Sequence, residues 1–282
     1  MRSLTFRAKN GSLKLGETTA LMGALNVTPD SFYRESRRPD PGEAVARALE
    51  MVEEGADIVD IGGESTRPGA SPVDVEDEIR RVVPVVARLR PLSRVLISVD
   101  TRRAAVAERA LDAGADIVND VSALGDSRMA EVVARAKAGV ALMHMKGTPA
   151  TMQAAPSYED VVAEVRKYLR GAIERAESSG IASDAILVDP GIGFGKTLEH
   201  NLTLLKNLPA LAELSKPILV GTSRKSFLGR IVPSAPDERL FPTASSVACA
   251  VVLGASVVRV HDVREMRQVA AVADAIRNQR IA

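Results

Sequence analysis

The 282-residue sequence has no tryptophan, one cysteine and only 3% aromatic residues. It also lacks charge of one sign, since 37 Lys and Arg stand against 36 Asp and Glu. Each shortage excludes something. A single cysteine cannot form a disulfide within the chain, which suits a reducing cytosol, and its place in the apolar run SSVACAVVLGA makes Cys249 a core residue by expectation. Balanced charge gives no global field for nucleic acid or a membrane surface, so any anion site must be local. No apolar run approaches the ~18 residues of a membrane span, and the leading MRSLTFRAKNGSLKLGE lacks the core of a signal peptide. The expected protein is cytoplasmic, with neither nucleic acid nor membrane as a partner.

What is present is alternation. Eight short β-rich runs recur: TALMGALN (19–26), DIVDIGGE (57–64), RVLISVDT (94–101), DIVNDVSA (116–123), GVALMHMK (139–146), AILVDPG (185–191), PILVGTS (217–223) and SVVRVHD (256–262). Each is nearly continuous in apolar residues and turns polar or glycine-rich at its C-terminal end, the pattern of parallel strands covered on both faces. Segments of helical spacing lie between them, and Pro84 is expected to kink or shorten the one that contains it. In EEGADIVDI, DAGADIVND and VLGASVVRV, Gly55, Gly114 and Gly254 take the place of a helix-ending glycine before the next strand. Eight alternations in about 250 residues predict a (β/α)8 TIM barrel, with a doubly wound open sheet as runner-up. LTFRAKNGSLKLGE, with its Asn-Gly turn, predicts an N-terminal β-hairpin at the barrel's bottom. With no linker or composition break, residues 1–282 read as one domain, hairpin over 1–18 and barrel over 19–282.

A barrel gathers its strand ends at one mouth, so their polar residues form one set: Asn26, Asp60, Glu64, Thr66, Arg67, Asp100, Asn119, Asp120, Asp189, Lys225, Arg259, His261 and Asp262. Asp100, Asn119 and Asp189 each close an apolar strand. A buried carboxylate without partners costs several kcal/mol, and a flat heterocycle rich in N–H donors would supply those partners; helix capping is the plainer alternative. Arg259 and His261 alternate on one strand and point the same way, which with Asn26 suits an anion sharing a Mg2+ ion. GGESTRPGA (62–70) offers turn-forming glycines, donors on Thr66 and Arg67, and a loop shaped by Pro68. DPGIGFGK (189–196) lacks the spacing of a phosphate-binding P-loop, and its Phe194 suits a flat aromatic pocket. His144, in ALMHMKG, reads as structural.

The motifs NVTPDSF (26–32), GGESTRPGA (62–70), SVDT (98–101), NDVSAL (119–124), MHMKGTP (143–149), DPGIGFGK (189–196), GTSRKSFLG (221–229) and RVHDV (259–263), in this order, resemble the dihydropteroate synthase family. The resemblance covers nearly the whole chain from residue 20. It implies a barrel that joins 6-hydroxymethyl-7,8-dihydropterin diphosphate to p-aminobenzoate with release of diphosphate. By it, Asp100, Asn119, Asp189 and Lys225 would hold the pterin, with Thr66 and Arg67 near the substrate. Arg224 would stack on the pterin, and Ser226 would receive the benzoate carboxylate beside Phe32, Pro68 and Phe194. Asn26 would be the Mg2+ ligand, Arg259 and His261 the diphosphate site, and the assembly a homodimer. One departure follows PDSF, where the family continues with a serine, an aspartate and two glycines and this chain has Tyr33, Arg34, Glu35 and Ser36. A non-catalytic pterin-binding paralogue, a pterin-dependent methyltransferase and, from fold alone, a sugar-phosphate enzyme are the competing readings.

Overall fold

The computed structural model describes residues 4–28, 41–65, 73–148 and 151–279. Strands β1 (Leu4–Ala8) and β2 (Gly11–Leu15) form an antiparallel hairpin around the Asn10-Gly11 turn. Eight further strands follow: β3 (Ala20–Asn26), β4 (Ile58–Gly62), β5 (Leu96–Asp100), β6 (Ile117–Asp120), β7 (Gly139–Met143), β8 (Ile186–Asp189), β9 (Leu219–Gly221) and β10 (Val257–Val260). They pair in parallel in the order β8-β7-β6-β5-β4-β3-β10-β9. A bridge between Val188 and Ile218, with the Val188 N–H donating to Pro217 O at 3.1 Å, joins the two ends of that order. Closure excludes the open-sheet alternative. The helices between strands are α1 (Pro41–Glu53), α2 (Val75–Leu89), α3 (Ala104–Asp112), α4 (Met129–Ala136), α5 (Val161–Ser178), α6 (Leu198–Lys206), α7 (Ser226–Ile231), α8 (Leu240–Val252) and α9 (Val263–Asn278).

Two apolar layers follow from the two-residue strand period. Leu21, Val59, Ile97, Val118, Val140, Val188, Val220 and Val258 point outward and pack under the helices. The alternate residues Met22, Ile58, Leu96, Ile117, Ala141, Leu187, Leu219 and Val257 point inward and fill the lower barrel, where Phe6, Ala8 and Leu15 of the hairpin close its bottom. Continuing the inward parity by two residues gives Ala24, Asp60, Ser98, Asn119, Met143, Asp189, Gly221 and Arg259. The polar mouth is thus the next storey of the same wall.

Gly55, Gly114 and Gly254 have φ of +102°, +115° and +110°, and at each the helix end is closed by paired backbone bonds, such as Ala56 N–H to Met51 O and Gly55 N–H to Val52 O. Two expectations need correction. Helix α2 runs unbroken through Pro84, which is only half-buried and removes a single ladder donor, so it does not shorten the helix. Cys249 is exposed, not core. Helix α8 buries Thr243, Ser246, Val247, Ala250 and Val251, a single face, and position 249 falls on the other side.

Candidate active site at the barrel mouth

Asp60, Asp100, Asn119 and Arg259 converge on one network. Arg259 donates from Nε to Asp60 Oδ2 at 2.6 Å and from Nη2 to Asp100 Oδ2 at 2.8 Å, and Asn119 Nδ2 donates to the same Asp60 oxygen at 3.0 Å. Gly62 stands between Asn26 and Asp100 in register. Three buried acceptors in this storey, Asp60 Oδ1, Asp100 Oδ1 and Ser98 Oγ, have no partner among the described residues. Orphaned carboxylate oxygens inside a barrel are costly and face a ligand rich in donors. Sequence reasoning counted Asp60 among the strand ends but left it out of the binding set, and it passed over Ser98. The signal was available: both share the inward parity of Asp100 and Asn119.

One guanidinium between two carboxylates cannot compensate both. Burial first, then the neighbouring charge of Asp60, pushes Asp100 up to about 7 against the pull of Arg259. Burial works against the Arg259 charge, but Asp60 and Asp100 outweigh it and hold its pKa above the ordinary value. Across the mouth, burial raises Asp189 against the attraction of Lys225, and one Asp189 oxygen accepts the Gly191 N–H at 2.6 Å. Burial brings Lys225 down to about 8, with Asp189 opposing the fall. The Lys225 ammonium donates to Ile192 O and lies 4.6 Å from the centre of the Phe194 ring. None of Asp100, Asn119 and Asp189 caps a helix: the residues at the starts of α3, α4 and α6 are Arg103, Arg128 and Thr197.

The remaining expected residues stand around the rim. His261 follows β10 on the Arg259 side, its Nδ1 2.9 Å from Ser223 Oγ. Arg224, at φ +56°, turns to Asp262 in a two-pronged pair, Nε to Oδ2 at 3.1 Å and Nη2 to Oδ1 at 2.5 Å. Ser226 is exposed at the start of α7. Asn26 ends β3, half-buried. Two strand-end carboxylates belong elsewhere: Asp120 accepts from Ser122 N, Ser122 Oγ and Leu124 N, and Glu64 pairs with Arg102 and Arg103. His144 is buried, its ring edge-on to Tyr168. Phe32, Thr66, Arg67 and Pro68, and the departure at Tyr33, Arg34, Glu35 and Ser36, lie outside the described residues.

The model of the family described as pterin binding enzyme matches residues 22–261. A dihydropteroate synthase from Synechocystis is 45% identical over 263 residues, 93% of this chain and 91% of the relative. The chain belongs to the dihydropteroate synthase family. Solved synthases agree in fold along its whole length. The enzyme of Yersinia pestis, in a sulfonamide drug complex, superposes with a TM-score of 0.92 at 39% identity, over 98% of this chain and all of its own. That of Xanthomonas albilineans, crystallised with 4-aminobenzoic acid, gives 0.91 at 42% identity over 98% of each chain.

One feature of a synthase site, its metal, bears on these side chains. Among the described residues no group of three His, Cys, Asp or Glu could cage a metal. A neutral amide such as Asn26 nonetheless fits Mg2+, an ion that keeps several waters and is commonly held through substrate phosphates. Among the described residues, the Asn26 amide therefore suits an ion shared with phosphate oxygens.

Proposed function

We propose that this chain condenses 6-hydroxymethyl-7,8-dihydropterin diphosphate with p-aminobenzoate to give 7,8-dihydropteroate and diphosphate. The observation that carries the reading is the pair of unsatisfied carboxylate oxygens on Asp60 and Asp100, beside Asn119 and Arg259, at the base of a barrel mouth. The N–H edge of a pterin supplies the donors they lack. Asp100, Asn119 and Asp189 orient the ring, with Lys225 beside it. Arg259 and His261 face the diphosphate, and Phe194 flanks the arylamine. By the family resemblance Thr66, Arg67, Pro68 and Phe32 belong to the substrate-binding set; Ser226 meets the benzoate carboxylate and Arg224 the pterin face.

The bond between the pterin methylene carbon and the diphosphate oxygen breaks, and the electron pair leaves with diphosphate. Charge left on the pterin is delocalised, and fixed carboxylates around the ring stabilise it without reorganising. The arylamine nitrogen then forms the new bond to carbon and gives up its proton. No enzyme nucleophile takes part, and the one cysteine lies exposed on α8, away from the mouth. Asn26 would hold a Mg2+ ion, which when bound would supply charge neutralisation to the leaving group.

Two further properties belong to this reading. Phe241, Val252, Val272 and Ile276 are exposed on α8 and α9, 80%, 42%, 62% and 63% respectively, and a groove lined by Ala244, Ala248, Val269 and Val272 runs between the helices. A second copy of the chain covers this face, giving a homodimer. An exposed lone thiol at Cys249 suits a reducing compartment, the cytoplasm; among the described residues no helix is long and apolar enough to cross a membrane.

The test is formation of dihydropteroate by the purified protein from the two substrates, with Mg2+ and with excess chelator. Magnesium-dependent product supports the reading. Pterin binding without product would favour a non-catalytic paralogue.

A further inference from the structure

Lys196 is buried to 3% exposure and forms no ion pair among the described residues. Its Nζ lies 3.0 Å from His144 Nδ1, 2.9 Å from Phe194 O and 3.4 Å from His144 O, and burial brings the group down to about 7 while the Asp189 carboxylate supports its charge. Three acceptors match its three N–H groups. With Lys196 protonated, the contact has His144 present a bare Nδ1 and carry its hydrogen on Nε2. Burial, and then the Lys196 charge, hold that imidazole neutral, down to about 3.

What Lys196 bridges is the end of β7 and the turn that leaves β8. That turn, Gly191 to Gly195, has three glycines at φ of +68°, +85° and +61°. A Cβ on Gly191 would fall 1.9 Å from His144 O, and one on Gly195 2.5 Å from Lys146 O, so the turn is pressed against the residues that follow β7. Gln153 Nε2 donates to Gly193 O at 2.7 Å, the Tyr158 hydroxyl to Gly195 O at 2.7 Å, and Gly193 N–H to Asn201 Oδ1 at 2.7 Å. The opposite edge of the turn meets the site: Gly191 N–H bonds Asp189, Ile192 O receives Lys225, and the Phe194 ring lies under the Lys225 ammonium. Its three glycines contribute no side chains, and of the side chains it has only that of Ile192 is fully buried, so backbone anchors share in holding this shape.

We propose that Lys196 is a positioning residue of the synthase site, its ammonium tying Phe194 O to His144 so that the 191–195 turn presents the Ile192 carbonyl and the Phe194 ring to Lys225. The proposal rests on the reading of the mouth as a pterin site. Among the described residues, Lys196 is the cross-link that joins the Phe194 carbonyl itself to the β7 end. Loss of that tie frees the Phe194 ring that lies beside the Lys225 ammonium.

The experiment compares pterin binding by calorimetry, and KM against kcat for the pterin diphosphate, in wild type, Lys196→Met, His144→Leu and His144→Asn, with melting curves for each. Asn keeps an amide acceptor where Nδ1 stood; Leu removes it. Lys196→Met and His144→Leu are expected to weaken pterin binding about tenfold in their folded fraction, in line with the cost of misplaced groups, while His144→Asn stays near wild type. A purely structural role would lower melting temperature and leave affinity unchanged, so wild-type affinity in both Lys196→Met and His144→Leu overturns the proposal. If one variant fails to fold, the other carries the comparison. A wild type that binds no pterin overturns the positioning role together with the functional reading, whereas a binding wild type with unaffected variants overturns the positioning role alone.

Discussion

Arg259 Nε lies 2.6 Å from Asp60 Oδ2, and the same guanidinium reaches Asp100, so one cation is shared between two buried carboxylates. The arrangement makes the two ends of the network unequal. Arg259→Met leaves two carboxylates without a cation and should destabilise by about 3–5 kcal/mol, the usual cost of breaking a buried pair. Asp60→Asn removes the surplus negative charge, so it should cost less and bring the Asp100 titration below its present value of about 7. Chemical denaturation and NMR titration of the carboxyl carbons measure both.

The raised Asp100 pKa has a signed consequence for stability. Its folded value of about 7 exceeds its ordinary 3.8, so the native state holds a proton that the unfolded chain has released. The stabilisation from this group is complete below about 4 and is lost as pH rises toward 7. Lys225 runs the other way: its folded value of about 8 is below 10.5, so its contribution becomes more favourable as pH rises between them. Asp100→Asn is expected to flatten the fall in stability between pH 4 and 7. Denaturant midpoints across that range check it.

For ligand, the same two groups set a narrow optimum. Pterin N–H donors prefer the ionised Asp100, and a pterin acceptor prefers the charged Lys225. Affinity should rise through about 7 and fall above about 8, with the acid limb missing in Asp100→Asn. Calorimetric titrations at a series of pH values give the profile.

Far from the mouth, Phe6 of the hairpin lies where a Cβ on Gly139 would come within 2.6 Å of its Cζ. Gly139→Ala should therefore lift the plug and cost about 1–3 kcal/mol, the range for overpacking. Phe6→Leu in the same chain should recover part of the loss. A double-mutant cycle by denaturation measures the coupling, with turnover of folded protein unaffected because the site is at the other end of the barrel.

The dimer reading is checked on the exposed face of α8 and α9. Val272→Asp with Ile276→Asp places two charges on an apolar surface where both side chains are mostly exposed. Light scattering should show a dimer for wild type and a monomer for the double variant, without loss of fold.

Much of this was legible because strand parity is a strong signal. Apolar runs that turn polar at one end specify both the barrel and its mouth, and the paired layers at Val59 and Ile58 repeat the inference in structure. The phrase around Gly55 marked true helix ends. Cys249 misled because composition tells that a helix is apolar but not which side faces the barrel. The partnership of Asp60 with Arg259 spans 199 residues, beyond any local pattern. Lys196 was hidden for a different reason: a lysine beside glycines suggests a solvated loop, and only folding reveals the neutral acceptors around it.

The most direct measurement is a crystal structure of the protein with the pterin substrate bound. The account predicts the pterin ring in the barrel mouth, with its N–H groups within hydrogen-bond distance of Asp100 Oδ1 and of Asp189. A pterin bound elsewhere, or a ring in the mouth that leaves Asp100 Oδ1 unbonded, would contradict it.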